Sequence, residues 1–138
     1  MVKVSVIGST GSIGVNTLRV IRAHARDLSV VALAARQNTE LLIQQAKQFH
    51  PKWVCIFDSE HASLVEKKLK PLGIHVVTGE EGLRVVSTLP EVDKVVFAMV
   101  GAAGLKPILA AVQAGKIVAI ANKEPLVMAG ELLLEEAR

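Results

Sequence analysis

Gly8-Ser9-Thr10-Gly11-Ser12-Ile13-Gly14 carries the spacing G-x-x-G-x-x-G between an apolar run and a helical pattern. Glycines so placed bring a ligand's phosphates close to the backbone. Gly8 suits a tight turn off a strand, and Gly11 has no Cβ to hold a pyrophosphate away. Gly14 lets the following helix pack closely on the sheet. The N–H groups of the first helical turn, around Ser12 and Ile13, then face phosphate oxygens with the helix dipole behind them. Thr10 and Ser12 add hydroxyl donors. The same letters also fit a tight turn and a helix cap with no ligand. The strand before and the helix after favour the dinucleotide reading. No Gly-Lys-Ser/Thr follows, so a P-loop is excluded.

A second group of residues selects the cofactor. The apolar run Val30–Ala35 ends in Arg36-Gln37-Asn38, and no carboxylate occurs until Glu40. NAD-selective domains place an acid there for the ribose 2′-hydroxyl. A guanidinium at Arg36 instead suits a 2′-phosphate, which it grips with two donors. The missing acid and the present arginine together imply NADP(H), with NADPH preferred. A solvated surface charge is the plainer reading of Arg36. Asn38 is also placed to cap the next helix, which is compatible with a cofactor contact.

These residues must be positioned by the elements between them. Apolar runs at Val2–Ile7, Leu28–Ala34, Trp53–Phe57, Ile74–Val77, Val95–Ala98 and Ile117–Ala121 read as strands. Helical patterns cover Ser12–Ala25, Thr39–Phe49, Ser59–Leu69, Glu80–Thr88, about Ala103–Gln113, and a last helix from about Lys123. Short strands alternating with longer helices imply right-handed crossovers. The expected fold is α/β: a doubly wound, mostly parallel, Rossmann-type sheet with helices on both faces, as one domain over residues 1–138.

Composition narrows the function. Of 138 residues 51% are apolar, with three Phe, one Trp and no Tyr. That suits buried parallel strands and leaves out the aromatic platforms of single-strand nucleic-acid binders. The net charge of +3 is spread along the chain, which fits a small anionic ligand better than a polynucleotide. No apolar run reaches the ~20 residues of a membrane span. The first strand begins at Val2, which points to a cytoplasmic protein, with a plastid-type organelle as the alternative. Cys55 lies in an apolar run and reads as strand packing.

Two later strand ends carry unusual residues. Val100-Gly101-Ala102-Ala103-Gly104 opens one helix, and Ala121-Asn122-Lys123-Glu124-Pro125 follows the last strand. Ligands of doubly wound sheets bind at such C-terminal ends. By spacing alone, Asn122, Lys123 and Glu124 serve equally well as a helix cap, an exposed cation and a first-turn acid.

Taken together, G-S-T-G-S-I-G at Gly8–Gly14, V-G-A-A-G-L at Val100–Leu105 and A-N-K-E at Ala121–Glu124 resemble the 1-deoxy-D-xylulose 5-phosphate reductoisomerase family over essentially the whole chain. The resemblance implies an NADPH-dependent oxidoreductase that converts 1-deoxy-D-xylulose 5-phosphate to 2-C-methyl-D-erythritol 4-phosphate for isoprenoid synthesis. It puts cofactor contacts on Thr10, Gly11, Ser12, Ile13, Arg36, Gln37, Asn38, Asn122 and Glu124, and the reading of the turn adds Gly8. Lys123 would contact the sugar phosphate. Family members often carry Gly-Lys where this chain has Arg36-Gln37, so the basic charge is displaced by one residue. Pro125 stands where Ser is common.

The resemblance also implies a homodimer and a divalent metal (Mg or Mn) held by residues beyond Arg138. No catalytic or metal residue is therefore assigned here, and this stretch alone is expected to bind NADPH without catalysing. The family's Asp-Ser-Glu-His metal motif belongs after the A-N-K-E segment. The same letters at Asp58–His61 are read as a coincidental helix start, capped by Asp58 or Ser59. The alternatives are a cofactor domain of another NADP dehydrogenase, such as a semialdehyde dehydrogenase, and a non-catalytic NADP(H) sensor.

Overall fold

In the computed structural model the described residues are 1–99 and 104–121. Six strands form one sheet: β1 (Val2–Ile7), β2 (Leu28–Ala35), β3 (Trp53–Ile56), β4 (His75–Thr78), β5 (Lys94–Phe97) and β6 (Ile117–Ile120). Their order is β4-β3-β2-β1-β5-β6, and every neighbouring pair is parallel. The expected mostly parallel sheet is thus wholly parallel among the described residues, and the fold is Rossmann-like.

Helices α1 (Ser12–Ala23), α2 (Thr39–Phe49), α3 (Ala62–Leu69), α4 (Gly79–Thr88) and α5 (Leu105–Gln113) make the crossovers. Strand periodicity decides which of them each side chain meets. Val4, Val6, Leu33, Ala35, Val54 and Ile56 point to one face and pack with Leu18 and Ile21 of α1, Leu42 and Ala46 of α2, and Val65 and Leu69 of α3. Ile7, Ala32, Ala34, Cys55, Val95 and Phe97 point to the other, with Leu83 and Val86 of α4 and Ile108 and Ala111 of α5. Two cores sandwich one sheet, which is why the strands read as mostly apolar runs.

Some boundaries differ from the sequence reading. The helix expected over Ser59–Leu69 is split into a 3-10 turn, Ser59–His61, and α3. The first helix stops at Ala23, where His24 turns the chain. β2 holds a bulge: Val4 pairs with Val30 and Ser5 with Ala32, so Val31 is extra. Val31 and Ala32 therefore share one face and both join the core under α4 and α5. No described helix is long and apolar enough to cross a membrane. Val100–Ala103 and the residues from Asn122 onward, including the expected last helix, lie outside the described residues.

Candidate functional site

The C-terminal ends of the parallel strands share one rim of the sheet. The chain leaves β1 at Gly8, whose φ is +95°. Only glycine adopts that conformation without strain. A Cβ on Gly8 would also lie 2.6 Å from the Met99 nitrogen. The Gly8 and Ser9 N–H groups both donate to the Ala34 carbonyl, at 2.7 and 2.9 Å. The buried Gln45 of α2 reaches across, and its Nε2 donates to the Ser9 carbonyl at 2.9 Å. The turn is therefore tied to both β2 and α2.

Gly14 packs differently from the sequence expectation. A Cβ there would sit 2.0 Å from the Gly8 oxygen and 2.7 Å from Ser9 carbon atoms. The close approach is between the helix and its own turn, rather than between helix and sheet. Gly11 stands in contrast. Its φ of −76° is ordinary, and among the described residues a Cβ would meet only the Gly8 oxygen, at 3.9 Å. Packing among the described residues therefore does not require glycine at position 11.

The first bond of α1 runs from the Val15 N–H to the Gly11 carbonyl at 2.8 Å. The preceding N–H groups, those of Ser12 and Ile13 among them, lie beyond that ladder at the positive end of the dipole. Gly11, Ser12 and Ile13 are exposed and Thr10 is half-buried. No acidic residue occupies the first turn of α1 to compete with an anion.

The neighbouring strand ends extend the same rim. Past β2, Arg36, Gln37 and Asn38 are exposed. Asn38 caps α2 as expected, its Oδ1 accepting from the Leu41 N–H at 3.2 Å. Past β3 the ladder continues, with the Phe57 N–H donating to the Ala35 carbonyl and the Asp58 N–H to the Arg36 carbonyl, both at 2.9 Å. The Arg36 guanidinium carbon lies 5.5 Å from the centre of the Phe57 ring. Past β5, the Ala98 N–H donates to the Ile7 carbonyl at 2.7 Å.

The rim thus gathers Gly8, Thr10, Gly11, Ser12, Ile13, Arg36, Gln37 and Asn38. Asn122, Lys123 and Glu124 fall outside the described residues, although Ala121 is held to the rim by its N–H on the Phe97 carbonyl at 2.9 Å. Two supporting residues escaped the sequence reading, Gln45 and Phe57. A glutamine among apolar positions of α2 was the available signal for the first.

The residues Asp58, Glu60 and His61 bring one ligand atom each within 4.8 Å of the others. The 3-10 turn brings Asp58 and His61, three apart, onto one side, and Glu60 is the chain neighbour of His61, with Oε1 3.6 Å from its Nε2. The expected cap does not form, because Asp58 makes no side-chain bond to the turn's N–H groups. Cys55 is buried mid-sheet and its thiol is pushed up to about 12 by burial, which fits packing. A cavity of about 300 Å³ between α4 and α5 is lined by Glu80, Leu83, Arg84, Lys106 and Pro107, and by none of the glycine-turn residues.

Comparison with known proteins places the chain in a family. Residues 4–130 match the family model of 1-deoxy-D-xylulose 5-phosphate reductoisomerase. The reductoisomerase of Moorella thermoacetica is 46% identical over 136 residues, covering 99% of this chain and 35% of that protein. The solved reductoisomerase from Zymomonas mobilis in complex with NADPH superposes with a TM-score of 0.94 at 36% identity, over 99% of this chain and 36% of that one. A DOX-P reductoisomerase in complex with NADPH, fosmidomycin and magnesium gives 0.95 at 37% identity, covering 99% and 34%. The chain therefore spans about a third of the length of the relatives it matches. It belongs to the 1-deoxy-D-xylulose 5-phosphate reductoisomerase family.

Proposed function

We propose that this chain is the NADPH-binding domain of an enzyme that converts 1-deoxy-D-xylulose 5-phosphate to 2-C-methyl-D-erythritol 4-phosphate. The observation that carries the reading is the glycine turn. Gly8 and Gly14 are demanded by the fold, whereas Gly11 is open to a ligand at a helix N-terminus. A relative solved with NADPH supports the choice of ligand.

In this reading the pyrophosphate lies over Gly11, with donors from Thr10, Ser12 and Ile13 and with Gly8 shaping the turn. Arg36 and Gln37 face the adenosine 2′-phosphate, where a guanidinium supplies two parallel donors. Asn38 keeps its cap through Oδ1 and contributes its amide nitrogen. Family likeness adds Asn122 and Glu124 to the cofactor and Lys123 to the substrate phosphate, a cation beside an anion. Bound NADPH supplies the hydride that reduces the rearranged sugar phosphate. The chain's own part is to fix the cofactor's two phosphate-bearing regions against rigid strand ends, so that the nicotinamide is held in one place.

Magnesium accompanies some solved relatives. None of the described residues is assigned to a metal here, and the full-length protein is taken to supply that site. On the same family likeness we read the protein as cytoplasmic and homodimeric, with this stretch alone binding NADPH without catalysing.

The test is turnover by the full-length protein. NADPH oxidation that depends on 1-deoxy-D-xylulose 5-phosphate, and that is abolished in Lys123→Ala, is expected. Tight NADPH binding without any turnover of that substrate would favour the non-catalytic sensor.

A further inference from the structure

The register between β2 and β3 pairs Ala35 with Ile56. One residue further, it sets Arg36 beside Phe57. Side chains alternate along a strand, so both fall on the face shared by Ala34 and Cys55. The Phe57 ring is half-buried and packs partly against the core beneath α4 and α5. Its backbone is tied to Ala35, and that of Asp58 to Arg36. One side of the ring is thus anchored in the sheet's core, while the guanidinium lies 5.5 Å from its centre. Arginine suits this arrangement because a planar cation stacks on an aromatic face and still presents its N–H edge outward, whereas an ammonium has no such plane.

We infer that Phe57 is a positioning residue for cofactor selection: its ring holds the Arg36 guanidinium in place to receive the 2′-phosphate that distinguishes NADPH from NADH. The inference rests on the reading of Arg36 given above. An exposed arginine otherwise samples many rotamers and loses that freedom on binding. Stacking on a ring fixed by the core removes part of that loss before the ligand arrives. Phe57 contributes through Arg36, so its effect belongs to the 2′-phosphate alone.

The experiment measures dissociation constants of the full-length protein for NADPH and NADH. The variants are Phe57→Leu, Phe57→Tyr, Arg36→Ala and the Phe57→Leu/Arg36→Ala pair. A ring-fluorinated phenylalanine at position 57 keeps the shape and weakens the ring's negative face, which preserves the test if Phe57→Leu folds poorly. Phe57→Leu and the fluorinated ring are each expected to weaken NADPH about three-fold, the scale of an exposed cation–π contact. NADH should be unaffected, Phe57→Tyr should restore the parent value, and Phe57→Leu should add nothing once Arg36 is gone. Equal weakening of both cofactors would overturn the inference by making Phe57 a general structural or adenine contact. An NADPH constant unmoved by Phe57→Leu and by the fluorinated ring, while Arg36→Ala lowers the NADPH preference, would overturn it and leave the role of Arg36 intact. A preference unchanged by Arg36→Ala would overturn both.

Discussion

The two rims of the sheet treat their polar groups in opposite ways. At the N-terminal rim they are turned on one another. The Lys116 ammonium donates to the carbonyls of Leu89 and Val92, both at 2.7 Å, and reaches Pro90 at 3.5 Å. Asp93 accepts from the Lys3 N–H at 2.9 Å, and its own N–H donates to the Lys3 carbonyl at 2.8 Å. Trp53 and His75 stack there, with ring centres 4.7 Å apart. At the C-terminal rim, Gln45 and the Ala34 carbonyl lock the backbone of the glycine turn, while the start of α1 and Arg36 face outward. One rim closes loops and stabilises the domain. The other is rigid beneath and open above, which is what a bound anion requires.

The largest expected effect breaks the open rim from below. Gly14→Ala forces a Cβ to within 2.0 Å of the Gly8 oxygen. The backbone must move, so a loss of about 3 kcal/mol or more is expected in denaturant unfolding, together with loss of NADPH binding. The closed rim gives the next effect. Lys116→Met leaves part-buried carbonyls of the Leu89–Val92 loop without their charged donor, and a loss of about 2 kcal/mol follows from charge-assisted bonds of this kind. Its ratio of NADPH to NADH affinity should match the parent's, and a changed ratio would blur the distinction between the rims.

Gly11→Ala sharpens it in the other direction. Conformation and the packing of the described residues both admit a methyl group at this position, so the unfolding midpoint should barely move. NADPH affinity should fall about ten-fold, on the order of 1.4 kcal/mol, as the methyl group meets the pyrophosphate. Calorimetry beside thermal unfolding separates the two readouts.

Cys55 lies between the rims and supplies the smallest test. Its folded value of about 12 stands above the ordinary 9.0. The thiol therefore stabilises the fold fully below pH 9, and that contribution is lost as pH rises from 9 towards 12, because the unfolded chain releases the proton first. By pH 10 the parent should have lost about 1 kcal/mol relative to Cys55→Ala, since a tenfold change in proton concentration is worth about 1.4 kcal/mol to a group protonated in only one of the two states. Both rims should weaken together. Chemical unfolding of the two proteins at pH 8 and pH 10 provides the measurement.

Much of this was legible before the structure. Strand and helix periodicities located the six described strands and the five described helices, because the central strands are buried on both faces and the edge strands are short apolar runs between helical patterns. The glycine turn was legible because a strand, three spaced glycines and a helix are local in sequence. What was not legible is non-local. The bulge at Val31 depends on how β1 pairs with β2, and the clash behind Gly14 depends on how α1 folds back over its own turn. Gln45 and Phe57 gain their roles only when α2 and β3 come beside the turn and Arg36. The 3-10 turn at Ser59–His61 lacks the side-chain cap that Asp58 promised. Asn122, Lys123 and Glu124 rest on family likeness, since their spacing alone suits a helix start equally well.

The most direct test of the open rim is titration of the full-length protein and of Arg36→Ala with NADPH and with NADH. Tighter binding of NADPH by the parent, with the preference largely lost in Arg36→Ala and NADH affinity unchanged, is the predicted result. A parent protein that binds NADH as tightly as NADPH would contradict it.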